Sequence, residues 1–346
     1  MDWLNDKIEV PDDFFYQKAL NKQIQLTKPP GSLGLLEDIA VRLAGMQKTE
    51  QPAIERIWIS VFAADHGIAE ESISAFPQIV TAEMVKNFAN EGAAVNVLSR
   101  FVKAKFEVVD VGLLKPVESK NIILARAGNG TANFSRQMAM SEEQMNLALS
   151  AGKSAVERAI EQNAQLFIGG EMGIANTASA SAIAIALTGL PTEQLTGAGT
   201  GLNSKEIMHK SQVIQNAVSL HRHYSTTPLK ILQSLGGFEI AALVGSYIFA
   251  AQCNLAILID GFICTVAALL AVKINPKIQP WFFYAHQSQE KGHRLVLEQL
   301  QARPLLDLNM RLGEGSGAVT AVPLLQMACK LHNEMATFKQ AKITTN

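Results

Sequence analysis

The chain has 346 residues, a net charge of −1 and an apolar fraction of 48%. That length is ample for one large α/β domain with additions, and the mixed, balanced charge offers no basic field for nucleic acid. The acidic, polar start MDWLNDKIEV is no signal peptide, and Cys253, Cys264 and Cys329 sit singly in apolar runs, as reduced thiols of a cytoplasmic protein do.

Residues 11–50 read as helices without strands. Short, unalternating apolar runs then predict strands over 56–64, 104–112 and, more weakly, 121–126. A helix over 142–162 precedes the strand run 165–170. Helical patterns follow over 176–187, 204–221 and 237–253, then strands over 255–261 and 280–286, and a helix over 290–300. The very apolar stretch 240–272 is cut by Asn254, Asp260 and Gly261, and no piece reaches the roughly 18–20 residues of a membrane span. It reads as helix, strand, helix. Residues 316–340 are helical again. Continuous apolar strands alternating with helices predict a three-layer α/β/α fold with a mostly parallel, roughly six-stranded sheet. The expected division is an α/β core over 51–310 and a small helical subdomain from 1–50 and 311–346.

Ligands of such folds sit at the C-terminal strand ends. Those ends read Asp65-His66-Gly67, Gly169-Gly170-Glu171, Asp260-Gly261 and His286-Gln287-Ser288. At the second, two glycines and a carboxylate stand between a strand and a helix start, a place that ordinarily suits an anion. GAGTGLN (197–203) is a second glycine-rich turn, with Ser204 as the expected N-cap of the next helix and Lys210 inside that helix. No GxxxxGK[ST] loop and no GxGxxG after a strand occurs, and VVDVGLL (108–114) carries only Asp110 where a pyrophosphate–magnesium site needs paired acids. No cofactor is implied. Asp65, His66, Asp260, His286 and His293 match no metal-ligand spacing, so hydrogen-bonded structural roles are expected; a metal-dependent hydrolase using them is the alternative reading. In RLGEGSGAVTA (311–321), Glu314 lies between glycines before a helix. It is either an acid suited to a helix N-terminus or a carboxylate projecting into a cavity beside Leu312, raised in pKa and usable as a base.

Taken in order, LTKPPGSLGLLE, AADHGIAEE, SAFPQIVTAEMV, GNGTANF, GGEMGIANTASASA, GAGTGLN, LGGFEIAALVG, AHQSQEKGH and RLGEGSGA resemble the nicotinate-nucleotide:dimethylbenzimidazole phosphoribosyltransferases of cobalamin nucleotide-loop assembly. The likeness spans nearly the whole chain. It implies transfer of the phosphoribosyl group of nicotinate mononucleotide to a benzimidazole nitrogen with inversion, by a homodimer with active sites near the subunit interface. It implies that Glu314 is the base. It sets the phosphate on the backbone of Gly173 and Ile174, the Thr200-Gly201 turn, Lys210 and Ser288, and includes Asn176 in the substrate site. Glu171 would then face the sugar, where positive charge builds, while the N–H groups after it face the phosphate. Some members carry a serine and a glutamine where this chain has Phe76 and Met84. The apolar form implies a pocket better suited to dimethylbenzimidazole, or an unsubstituted or phenolic analogue, than to adenine.

Overall fold

The computed structural model describes residues 2–344. Seven strands form one sheet: β1 Ile57–Ala64, β2 Lys105–Gly112, β3 Ile122–Leu124, β4 Leu166–Met172, β5 Ala256–Ile259, β6 Phe282–His286 and β7 Pro304–Leu306, in the order β3-β2-β1-β4-β5-β6-β7. Every pairing is parallel. The order reverses between β1 and β4, so a crevice opens at the C-terminal ends of the central strands. β4 and β5 are buried along nearly their whole length, side chains of both faces included, as a sheet covered on both sides requires.

The strand the sequence did not reveal is β7, making seven strands rather than about six. It is three residues long, half-buried, and starts at Pro304. Its two leucines are too short an apolar run to predict a strand, and a proline that cannot donate to a ladder is tolerated there because β7 is an edge.

Helix Phe238–Gln252 packs on β1, β2, β4 and β5, and on helix Glu142–Glu161. The apolar 240–272 stretch resolves as this helix, β5 and helix Phe262–Ile274, all within the core. Among the described residues no helix is long and apolar enough to cross a membrane. Helices Asp13–Gln25 and Leu35–Gln47 pack on each other, and the second also on helix Ser316–Glu334. That last helix lies against β4 and β6 too. The main core accordingly runs without a break from Leu43 and Met46 to the sheet; only Ala19, Val41 and Ala44 form a separate small cluster.

Candidate active site

The sequence suggests that β4 ends at its glycines. The strand instead runs through Gly169 and Gly170 to Met172, so Glu171 is a strand residue. Both glycines meet close packing instead. A Cβ on Gly170 would collide with the Glu314 carbonyl, so this glycine admits the 313–315 loop against the strand. That loop is left-handed at three successive residues, Gly313 (φ 88°), Glu314 (φ 65°) and Gly315 (φ 83°). Left-handed backbone in a non-glycine residue costs about 1–2 kcal/mol, and Glu314 bears it where its carboxylate enters the cavity.

The cavity, of about 510 Å³, lies over the ends of β4, β5 and β6. Its walls bring together Glu171, Gly173, Ile174, Asn176, Thr200, Ser288, Leu312, Glu314, Phe76 and Met84. Gly201 is not part of the wall, and Lys210 stands behind it. The Lys210 ammonium is buried and donates to Thr177 Oγ1 at 2.7 Å, beside Gly199; both of these are wall residues. The Ile174 N–H is engaged, donating to Thr81 Oγ1 at 3.1 Å. Thr200 Oγ1 accepts from the Ala75 N–H and pairs with Ser74 Oγ, both at 3.1 Å, and so ties the 197–203 turn to the segment bearing Phe76. The N-cap of helix Ser204–His221 is Asn203, not Ser204: Asn203 accepts from Lys205 and Glu206, and Glu206 returns a bond to the Asn203 N–H, a reciprocal box that outcompetes a lone serine.

The two ends of the cavity differ in charge. At one end Glu171, Asp260 and Glu314 are all buried. Burial, with the neighbouring carboxylates Glu239, Asp260 and Glu314, pushes the Glu171 carboxyl up to about 8, although Asn176 donates to it. Burial raises the Glu314 carboxyl as well, aided by Asp260 and opposed by the Val95 N–H, and its Oε2 has no hydrogen-bond partner. At the other end Lys210 and the exposed Arg311 approach Gly199, and Glu290 lies near both. Burial pulls the Lys210 ammonium down to about 8, with Glu290 opposing.

Two of the histidines are held by hydrogen bonds, while His286, at the end of β6, lines the cavity. His293 Nδ1 accepts from the Ser288 N–H at 2.8 Å, which puts its proton on Nε2, 2.9 Å from Thr265 Oγ1; burial drops its pKa to about 3, so the ring is neutral. His66 Nε2 meets Glu239 at 2.8 Å. Asp110 is held by Arg126 at 2.8 Å and by the Leu113 N–H. Among the described residues no three His, Cys, Asp or Glu side chains are placed to share a metal ion, so the donor set does not fit the hydrolase reading.

Several wall residues were not singled out in the sequence: Val80, Met172, Thr177, Phe262, Ile263, Glu290 and Arg311. Val80 had a signal. It falls midway between Phe76 and Met84 at a spacing of four, the period of one helix face, and helix Ile79–Ala89 carries it. Phe262 and Ile263 directly follow the strand-end pair Asp260-Gly261.

Comparison with known proteins gives the family. The family model described as phosphoribosyltransferase matches residues 8–343. A nicotinate-nucleotide–dimethylbenzimidazole phosphoribosyltransferase of Pseudomonas putida is 51% identical over 342 residues, covering 99% of this chain and 97% of the relative. One of Pseudomonas fluorescens is 53% identical over the same coverage. The crystal structure of CobT from Thermus thermophilus superposes with a TM-score of 0.93 at 40% identity, over 96% of this chain and 100% of that one. With likeness of sequence and fold over nearly its whole length, the chain belongs to the nicotinate-nucleotide:dimethylbenzimidazole phosphoribosyltransferase family.

Proposed function

We propose that this cavity transfers the phosphoribosyl group of nicotinate mononucleotide to 5,6-dimethylbenzimidazole, giving α-ribazole 5′-phosphate and nicotinate with inversion, for the lower ligand of cobalamin. The observation that carries the reading is the charge division of one cavity. Three buried carboxylates stand at one end, the buried Lys210 ammonium with Glu290 near it lies behind the wall at the other, and an apolar wall of Phe76, Val80, Met84 and Leu312 lies alongside.

Each part has work to do in that reaction. The leaving group is a pyridinium, which departs as neutral-ring nicotinate when the bond from C1′ breaks and its electron pair returns to the ring nitrogen. The sugar carbon passes through an oxocarbenium-like state, which a carboxylate stabilises. Glu171 takes that role; its carboxyl, raised to about 8 by burial, ionises as the cationic ring arrives and supplies the opposite charge. The incoming benzimidazole attacks with one nitrogen and loses the N–H proton of the other. Glu314, with Oε2 free of partners, accepts that proton. Lys210, Ser288, the backbone of Gly173 and Ile174 and the Thr200-Gly201 turn hold the phosphate. The Ile174 N–H takes part only by exchanging Thr81 for phosphate.

The apolar wall favours dimethylbenzimidazole. We further propose that the enzyme is a cytoplasmic homodimer, which light scattering of the purified protein tests. Limited proteolysis tests a division at 50 and 310: cleavage releasing a stable 51–310 core supports it, and wholesale digestion opposes it. The function itself is tested by mixing nicotinate mononucleotide and dimethylbenzimidazole with purified enzyme. The expected product is α-ribazole 5′-phosphate, identified by mass and by the anomeric coupling in NMR; no turnover of this pair, or a β product, contradicts the reading.

A further inference from the structure

Helix Ser316–Glu334 has no cap of its own. Its N-cap position is Gly315, whose left-handed backbone suits glycine and leaves no side chain to receive the first N–H groups. The missing acceptor comes from another part of the chain. Asp260, at the end of β5 and 1% exposed, accepts from the Gly315 N–H through Oδ2 at 3.2 Å and from the Ala318 N–H through Oδ1 at 2.7 Å. Gly317 stands between the two bonds, and a Cβ there would press on Asp260 Oδ1 at 2.9 Å. His286, on β6, stands behind the same oxygen with Nε2 at 3.7 Å. The carboxylate also lies where a helix N-terminus favours negative charge. Glu314 is bonded directly to the capped residue, and the Gly313 carbonyl before it is held by the Ser316 N–H at 3.0 Å and by Ser316 Oγ at 2.7 Å.

We propose that Asp260 is the positioning residue for Glu314: by capping the helix across the sheet it holds the left-handed 313–315 loop in place and fixes where the Glu314 carboxylate stands. The inference rests on Glu314 being the base, and it gives β5 a task beyond lining the cavity. A base displaced by about 1 Å loses up to roughly 100-fold in rate, because proton transfer demands close alignment. Binding of the mononucleotide, whose phosphate is held away from Glu314 by Lys210, depends little on that alignment. The charge of Asp260 bears on Glu314 as well. The titratable groups facing Glu314 are Glu171 on β4 and Asp260 on β5, with His286 of β6 behind Asp260, while helix Ala94–Phe101 offers the Val95 N–H. Removing the Asp260 charge lowers the pKa of Glu314, so the acid limb of the rate profile moves to lower pH.

Asp260→Asn tests this, since it keeps the shape but turns one acceptor oxygen toward an N–H as a donor. The expected result is a kcat lower by about 10–100-fold, a KM for nicotinate mononucleotide within about threefold of wild type, and an acid limb of kcat at lower pH. Amide exchange of the 313–320 segment speeds up while that of β4 and β5 is kept. Asp260→Glu, which keeps the charge but displaces it, is the second variant should the first not fold; it gives the same loss of kcat with the acid limb unmoved. Wild-type kcat and exchange in either variant overturns the proposal, as does a fall in kcat with no change in exchange or, for Asp260→Asn, in the acid limb. Glu314→Gln is measured in parallel: if it keeps wild-type kcat, the base assignment fails and this proposal with it, whereas an inactive Glu314→Gln beside an unaffected Asp260→Asn overturns the positioning role alone.

Discussion

Replacing Lys210 by alanine removes a cation that the fold leaves poorly served. The side chain is 1% exposed, its ammonium has a hydroxyl as hydrogen-bond partner, and Glu290 is the acid that favours its charged form. A phosphate replaces the water such a cation lost on burial. A hydrogen bond between charged partners contributes about 1.5–3 kcal/mol, so Lys210→Ala should raise KM for nicotinate mononucleotide roughly 10–150-fold. The phosphate is far from the bond that breaks and is held alike in ground and transition states, so kcat changes little. There is also a pH signature. The free enzyme's Lys210 loses its proton near pH 8, because burial disfavours the ammonium, and the neutral amine does not hold phosphate. Wild-type kcat/KM for the mononucleotide should therefore fall as pH rises above about 8, and Lys210→Ala should lose that limb. Initial rates over a pH series, with the mononucleotide varied at saturating base, read both effects. An unchanged KM for the mononucleotide beside a raised KM for the base would place Lys210 elsewhere, and an alkaline limb surviving in the variant would assign it to another group.

Glu171→Gln should lower kcat about 100-fold or more while stabilising the free enzyme. The folded pKa of about 8 exceeds the ordinary 4.5, so the native state holds a proton the unfolded chain has lost, and stability falls as pH rises from 4.5 towards 8. Glutamine escapes that loss, so Tm should exceed wild type by a few degrees at pH 8 and match it near pH 4.5; a variant less stable at both pH values would contradict the burial argument. Phe76→Ser with Met84→Gln should shift the kcat/KM ratio towards adenine and away from dimethylbenzimidazole. An unpartnered buried polar atom costs roughly 1–3 kcal/mol, but Phe76 is 51% exposed, so the shift should be about tenfold rather than a hundredfold. A ratio unmoved would remove these two residues from the base pocket.

The α/β layering was legible because the central strands are buried on both faces and read as unbroken apolar runs. β7 was not, being too short and too exposed at the sheet edge to leave a pattern. Helix Ser204–His221 was legible to the residue, yet its cap was assigned one position late, since Ser204 and Asn203 are both good caps and the returning bond from Glu206 decides between them. The glycines before Glu171 misled for a physical reason. Local sequence cannot distinguish a glycine that opens a turn from one that admits a distant loop, and Gly170 is of the second kind, facing Glu314. The same limit hid the role of Asp260, whose partners Gly315 and Ala318 are more than fifty residues away in the chain.

The central claim is that Glu314 removes a proton from the attacking base, and a nucleophile with no such proton tests it directly. 1,5,6-Trimethylbenzimidazole can attack through its unmethylated nitrogen but has no N–H to lose. Glu314→Ala, which also makes room for the added methyl group, should lose about 10²–10⁴-fold in kcat with dimethylbenzimidazole. With the trimethyl base its kcat should match or exceed that of wild type. An equal loss with both bases would contradict the account, because Glu314 would then be contributing something other than proton removal.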